Sequence, residues 1–189
     1  MPHVIERATT SRAKCRGCGA TIARVTLRIG GSVPNLYADA DGAESRHWHH
    51  PVCAAYRRPE AFLQAVEGAD VVLPDRDALI AIAAEGVAHH RLPRLDRAER
   101  ASSARAACRA CRAAIPKDAW RIALLFWQDG RFAPAGFIHT TCARAYLGTI
   151  EILDRLRHAR PDLTEADLDA IARDLEAGLP GDAADSAAD

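Results

Sequence analysis

Residues 12–18 have the sequence Arg-Ala-Lys-Cys-Arg-Gly-Cys, and residues 105–111 have the sequence Arg-Ala-Ala-Cys-Arg-Ala-Cys. Each Cys-x-x-Cys pair is followed by a His-x-x-Cys pair, so that the chain contains two sets of three cysteines and one histidine. A Cys3His set supplies the four nitrogen and sulfur ligands that Zn²⁺ holds in a tetrahedron. The pattern therefore predicts two structural zinc ions. The ligands are Cys15, Cys18, His50 and Cys53 in the first set, and Cys108, Cys111, His139 and Cys142 in the second.

All 6 cysteines of the chain belong to these two sets. The alternative interpretation is a group of buried or redox-active thiols; disulfides are disfavoured because the N-terminus does not resemble a secretory signal. His49 competes with His50 as a ligand, and the His139-x-x-Cys142 spacing favours His50. His47 and His49 are then interpreted as surface or packing histidines.

The repeat extends beyond the cysteines, because Arg12 and Arg105 precede the first cysteine of each set at the same spacing, and Glu-Arg-Ala occurs at residues 6–8 and again at 99–101. We therefore predict two units, each a finger followed by a helical segment. The predicted bounds are 1–85 for the first unit, 86–98 for a linker, 99–178 for the second unit and 179–189 for an acidic, disordered tail.

Hydrophobic periodicity predicts the elements of each unit. Strands are expected over Thr26–Val33 and Trp120–Trp127, and a short return strand over Phe137–His139. The second of these should place Trp120, Ile122, Leu124 and Phe126 on one face. Helices are expected after Asp75 and Thr164, each capped by that residue. The predicted fold class is α+β: two tandem small zinc-binding modules, each a short antiparallel sheet with a Cys3His site followed by helices.

Composition limits the classes of function. The 189 residues carry 25 basic and 25 acidic side chains, which excludes a uniformly basic coat for nucleic acid. The charge is nevertheless segregated: residues 1–60 and 100–148 carry net charges of +4 and +6, and residues 61–99 and 149–189 carry −3 and −7. Positive fingers and acidic helices favour a phosphate-bearing partner on the finger side. Internal pairing of the two charge classes is the alternative.

The chain contains no stretch of 18 apolar residues, so the sequence predicts no transmembrane helix. We therefore expect a cytoplasmic protein, associated with the nucleoid, without a membrane partner. The usage of Ala, Arg and Asp is typical of a GC-rich bacterial genome.

The residues flanking the ligands resemble the poly(ADP-ribose) polymerase-type (PARP-type) zinc finger. The resemblance rests on Glu-Arg-Ala, an arginine before the first cysteine, Cys-x-x-Cys, Leu27-Arg28 or Trp120-Arg121, and Trp48 or Phe137 two residues before the ligand histidine. It covers about residues 6–85 and 99–178. Fingers of this family recognise DNA breaks rather than sequences. The resemblance thus implies zinc-dependent binding of nicks, gaps or ends, as a sensor or recruiter in DNA repair.

The resemblance also implies site residues. Arg12 and Arg105 match the arginine that contacts backbone and bases, and Arg28 and Arg121 match the phosphate-binding strand arginine. Apolar residues that cover the exposed base are expected on the loop before the ligand histidine. The candidates there are Val33, Leu36 and Tyr37 in the first finger, and Phe132 and Pro134 in the second.

Two further functions stay open from the residues alone. One is a zinc-stabilised protein-interaction module that has lost DNA binding. The other is an enzyme, of which a nuclease using His47, His49 and His50 is the most concrete form. The predicted zinc sites have four protein ligands and no open position, and we expect neither an ADP-ribosyl transferase domain nor a ligase domain after the fingers. We therefore expect no catalysis and no small-molecule substrate. A separate repair enzyme is a candidate partner. We also expect the acidic tail to compete with DNA for the arginines of the fingers.

Overall fold

The computed structural model describes residues 3–34, 44–128 and 130–178. These residues form strands β1 (Val4–Arg7), β2 (Leu27–Pro34), β3 (Glu44–His49), β4 (Leu95–Arg100), β5 (Trp120–Gln128) and β6 (Arg131–His139). The α-helices are α1 (Pro51–Arg57), α2 (Pro59–Glu67), α3 (Arg76–Ala88), α4 (Ala143–Leu147), α5 (Leu153–Ala159) and α6 (Glu165–Ala177). Two small sheets with helices confirm the predicted α+β class.

The chain divides into two compact units. The first contains residues 1–94 together with residues 125–133, and the second contains residues 95–124 and 134–189. The predicted linker, 86–98, contains the end of α3, a short 3₁₀ turn and the start of β4, and its residues Leu92, Leu95 and Ala98 are buried. The predicted tail, 179–189, lies outside the described residues. The bounds drawn from the repeat remain a prediction.

The sheet of the first unit has the order β1-β2-β3 and is antiparallel, with Ile29 opposite both Ile5 and His49. Strand alternation turns Ile5 and Ile29 toward one face. On that face they join the buried Phe62 of α2 and Leu79 of α3 in one apolar cluster. This core fixes the end of β3 relative to the start of α1. The metal ligands His50 and Cys53 lie at that junction.

The sheet of the second unit has the order β4-β5-β6, and Ala98 of β4 is opposite Ile122 of β5. Of the four residues predicted to share one face of β5, Trp120, Ile122 and Leu124 are buried, whereas Phe126 is 41% exposed. The return strand is also longer than predicted. It begins at Arg131, and β6 is the neighbour of β5 in the sheet.

Helix α6 begins as the sequence predicts. Asp167 donates its backbone N–H to Thr164 Oγ1 at 3.2 Å, and its carboxylate accepts the Thr164 N–H at 3.1 Å, which completes a capping box. The prediction for Asp75 is right in position and wrong in mechanism. Asp75 precedes α3, but its backbone is left-handed (φ 54°) and its side chain makes no capping hydrogen bond. Within the described ranges, no helix combines the length and apolarity that crossing a bilayer requires.

Candidate metal centres and their surroundings

Each unit brings together the four side chains that the sequence assigned to a metal site. The ligand atoms of Cys15, Cys18, His50 and Cys53 all lie within 4.8 Å of one another, and so do those of Cys108, Cys111, His139 and Cys142. Ligands bound to one tetrahedral ion at about 2.0–2.3 Å are roughly 3.5–4 Å apart. The spacing therefore fits one small cation in each cluster.

The Cys-x-x-Cys turns, here called the knuckles, have the same backbone in both units. The N–H of Cys15 donates to the carbonyl of Ala20 at 2.8 Å, and the N–H of Cys108 donates to that of Ala113 at 2.8 Å. The residue after the second cysteine is left-handed in both, Gly19 with φ 77° and Arg112 with φ 67°. The two knuckles therefore share their local turn as well as the sequence Arg-Ala-x-Cys-Arg-x-Cys, although the left-handed position holds glycine in one and arginine in the other.

Backbone donors surround the first sulfur of each knuckle. The Sγ of Cys15 accepts N–H groups from Gly17 at 3.4 Å and His50 at 3.3 Å. In the second unit, Cys108 Sγ accepts N–H groups from Ala110 and His139, both at 3.4 Å. Hydrogen bonds of this kind favour the thiolate, which is the form that binds a metal.

The thiols of one cluster do not ionise independently. A hydrogen bond from Cys53 lowers the pKa of Cys15 to about 4, and the same hydrogen bond, with burial, raises the pKa of Cys53. Burial opposes ionisation of Cys108, but backbone N–H groups of Cys111, His139 and Ala110 lower its pKa to about 7. Burial and the neighbouring Cys108 thiolate raise the pKa of Cys142 to about 12. Three thiolates so close together need a cation to offset their repulsion.

The two histidines turn Nδ1 toward the thiols. His50 Nδ1 lies 3.4 Å from Cys18 Sγ, and His139 Nδ1 lies 3.4 Å from Cys111 Sγ. His139 Nε2 is 3.2 Å from the Ala114 carbonyl oxygen, which can only accept a hydrogen bond. The proton therefore belongs on Nε2, and Nδ1 is left with the lone pair that a metal requires. His49 is outside the cluster and 2% exposed, and its Nε2 has no hydrogen-bond partner among the described residues.

The strand arginines Arg28 and Arg121 are buried rather than presented to solvent. Both are 8% exposed. Arg28 donates Nη2 to Glu6 Oε1 at 2.5 Å and lies 3.6 Å from the centroid of a Trp48 ring. Arg121 donates Nη2 to Glu99 Oε1 at 2.6 Å and lies 3.6 Å from the centroid of Phe137. The repeated Glu-Arg-Ala was visible in the sequence, but the pairing of its glutamate with the strand arginine was not predicted.

The remaining candidates have different environments. Arg12 and Arg105 are exposed, as a phosphate-binding role would require. Val33 is 4% exposed, Phe132 is half-buried and Pro134 is exposed. Leu36 and Tyr37 lie outside the described residues. The burial of Val33 leaves Pro134 as the most accessible of the described apolar candidates.

Phe132 belongs to an aromatic group of the first unit that was not predicted from the sequence. Its ring packs edge-on against Trp127, with centroids 4.7 Å apart. The guanidinium of Arg58 lies 4.0 Å from the Trp127 ring centroid, and the His47 ring packs against Trp127 at 6.0 Å. The sequence did contain a signal for this group: Trp127 and Phe132 stand on either side of Gly130, at the spacing of a cross-strand pair.

The structure thus defines a chain with two Cys3His metal-binding fingers, each backed by helices. A 53-residue segment of it is 40% identical to a poly(ADP-ribose) polymerase of Drosophila melanogaster. The match covers 28% of this chain and 5% of that protein. No family model matches the chain. The similarity and the two metal clusters together fit a PARP-type finger.

Proposed function

We propose that the protein binds interrupted duplex DNA, at nicks, gaps or ends, without reading sequence. The observation that carries the proposal is the repeated placement of an exposed arginine, Arg12 and Arg105, three residues before each metal knuckle. The similarity to a poly(ADP-ribose) polymerase adds support. Both fingers also lie in the segments of net positive charge.

We infer that zinc occupies both clusters. Three thiolates and one imidazole nitrogen are the donors that zinc prefers, and the four together leave no coordination position for water or substrate. His139 has the second hydrogen bond that orients a metal-ligating imidazole. The ions then serve folding, and we propose that the chain has no catalytic activity of its own and recruits a separate repair enzyme.

Physical chemistry suggests how the fingers select a break. A nick or an end exposes the flat face of a base pair and leaves the flanking phosphates in place. Guanidinium groups hold the phosphates with an affinity that depends on salt and not on sequence. Stacking of side chains on the exposed base adds roughly 1–3 kcal/mol that a closed duplex does not offer.

The test uses the zinc-loaded full chain and DNA dumbbells, whose hairpin caps leave no free end. Binding to a closed, a nicked and a gapped dumbbell, and to a blunt duplex, is measured by fluorescence anisotropy over a salt series. The informative variant is Arg12→Ala/Arg105→Ala. The matched control is Arg24→Ala/Lys117→Ala, which removes two positive charges from exposed positions that are also 93 residues apart.

We expect tighter binding to an interrupted dumbbell than to the closed one. The Arg12/Arg105 variant should lose that binding, with a shallower salt dependence, and retain two zinc ions. The control should lose much less. Equal, weak binding to every DNA would overturn the proposal, and so would an equal loss in the variant and the control.

A second candidate is a protein-interaction module on the same scaffold. Arg28 and Arg121, the expected phosphate ligands of the strand, form ion pairs with Glu6 and Glu99. A finger that uses its strand arginines internally has fewer cations for DNA. Absence of any break preference in the dumbbell experiment would favour this candidate.

A further inference from the structure

The second unit contains a cavity of ≈ 500 Å³ beside its metal site. The wall on one side is the knuckle, including Arg109 and Arg112, and the wall on the other side is Gly136 and Phe137 of β6. The cavity is open to solvent. Two exposed cations, Arg109 and Arg112, and the half-buried ring of Phe137 line it together with Ala106, Ala107 and Cys108.

Arg109 is held over the β6 backbone. Its N–H donates to the Phe137 carbonyl at 2.8 Å, and its Nε donates to the Ala135 carbonyl at 3.1 Å. A Cβ at position 136 would lie 2.9 Å from that Nε, and Gly136 has φ 92°. Only glycine tolerates both the conformation and the close approach. The absence of a side chain at Gly136 therefore leaves room for the Arg109 guanidinium over the backbone of β6.

Arg112 occupies a position that favours glycine. Its φ is 67°, and the residue at the same place in the first knuckle is Gly19, with φ 77°. A Cβ in the left-handed region approaches the following carbonyl oxygen too closely, so this conformation is unfavourable for arginine. Despite this unfavourable conformation, the second unit has arginine here, and it places a second guanidinium at the cavity. A strained position of this kind points to a function.

The charges select the ligand. In the part of the chain that the structure describes, no carboxylate forms an ion pair with Arg109 or Arg112. A filled Cys3His site carries one negative charge in excess, so two guanidinium groups leave the surroundings positive. Two guanidinium groups can donate to all three terminal oxygens of a phosphomonoester, whereas an internal phosphodiester presents only two non-bridging oxygens.

We propose that this cavity binds a phosphomonoester attached to a nucleoside. The cavity is larger than a phosphate group, and Phe137 provides an apolar wall for the sugar or base. If the protein binds broken DNA, the terminal phosphate of the interrupted strand is the expected source of this group, and in that respect the inference rests on the proposed function. A free mononucleotide presents the same chemistry.

The experiment compares matched DNA duplexes that end in 5′-phosphate, 3′-phosphate or hydroxyl groups, with the zinc-loaded full chain. A second arm titrates 5′-AMP by calorimetry. The variant is Arg112→Gly, which restores the residue of the first knuckle. The control is Arg16→Ala, at the position in the first unit that corresponds to Arg109.

We expect a phosphorylated end to bind about three- to tenfold more tightly than the hydroxyl end. Arg112→Gly should abolish that ratio and raise the melting temperature by several degrees, because it removes backbone strain. Arg16→Ala should keep the ratio. If Arg112→Gly melts at a higher temperature but no longer prefers the phosphorylated end, Arg112 binds the ligand and does not stabilise the fold.

Each outcome decides the inference. Binding of 5′-AMP that Arg112→Gly abolishes, without any end preference, would support the cavity and assign it to free nucleotides. Equal affinities for all ends together with no 5′-AMP binding would overturn it. So would an end preference that Arg112→Gly leaves intact. Failure of the proposed function is distinct, since it appears as equal binding of nicked and closed dumbbells.

Discussion

The guanidinium of Arg121 lies 3.6 Å from the centroid of the Phe137 ring, two residues before the metal ligand His139. Its other partner is Glu99, on the opposite edge of the same sheet. Arg121 therefore connects β4, β5 and β6 on the face that leads to the metal site. The first unit repeats the arrangement with Glu6, Arg28 and Trp48.

Replacement of Arg121 by Ala should destabilise the second unit by about 2 kcal/mol, because it removes the donor to Glu99 Oε1 and leaves that partly buried carboxylate with Arg97 as its remaining ion-pair partner. Arg28→Ala should cost less, about 1 kcal/mol, since the Glu6 side chain is 39% exposed and Glu99 only 20%. Urea unfolding of the zinc-loaded protein measures both. Equal losses in the two variants would contradict this account of the ion pairs.

Removal of one metal ligand should unfold one finger and leave the other finger folded. Cys111→Ala should reduce the metal content from two ions to one and unfold the second unit, since structural zinc contributes about 10–16 kcal/mol to small modules. Native mass spectrometry counts the ions, and the fluorescence of Trp48 in a Trp120→Phe/Trp127→Phe background follows the first unit. Ser103→Ala, which leaves the cysteines intact, is the control. A cooperative melt of both units after chelation would show that metal does not organise the fold.

His49 should make the first unit sensitive to acid. Burial, first of all, lowers its pKa from 6.5 to about 4, so the unfolded chain binds a proton more readily than the folded one. Its contribution to stability is complete above pH 6.5 and is lost as the pH falls toward 4. Between pH 7.5 and 5.5 the loss should be about 1 kcal/mol.

The second unit supplies the control for this prediction. Ile138 stands before His139 as His49 stands before His50, and it is 0% exposed. His49→Ile should therefore fit the site and remove most of the pH dependence of unfolding over this range. Metal loss affects both proteins alike and cancels in the comparison. Parallel pH profiles would contradict the assignment.

Gly178 should not tolerate a side chain. A Cβ there would lie 1.9 Å from the Thr141 carbonyl oxygen, although the backbone, with φ −83°, is ordinary. Gly178→Ala should push the end of α6 away from the ligand turn, where Thr140 Oγ1 donates to Asp174 at 2.7 Å. Overpacking of this kind costs about 1–3 kcal/mol.

Gly68→Ala is the matched control, since Gly68 also follows a helix and a Cβ there would meet nothing closer than 3.9 Å. Thermal unfolding of the two variants should show a clear decrease for Gly178→Ala alone. A similar effect of both would show that the contact with Thr141 relaxes at little cost.

The metal clusters could be predicted from the order of the amino acids alone, because a Cys3His site imposes its ligands by spacing and chance would rarely repeat that spacing with every cysteine used. The start of α6 could be predicted in the same way, since the capping box at Thr164 and Asp167 is a local device within one turn of helix. Local hydrogen bonds and ligand spacing depend on near neighbours in the chain, and for that reason they can be inferred without the fold.

The roles of the strand arginines and the loop residues depended instead on tertiary contacts. The pairing of Arg28 with Glu6 joins residues 22 positions apart, and it depends on the register of β1 against β2. The burial of Val33 and the aromatic contact of Phe132 depend likewise on what packs over them. The cavity next to Arg112 is the clearest case. Its two walls come from the knuckle and from β6, and no local pattern in either segment shows that the two walls face each other.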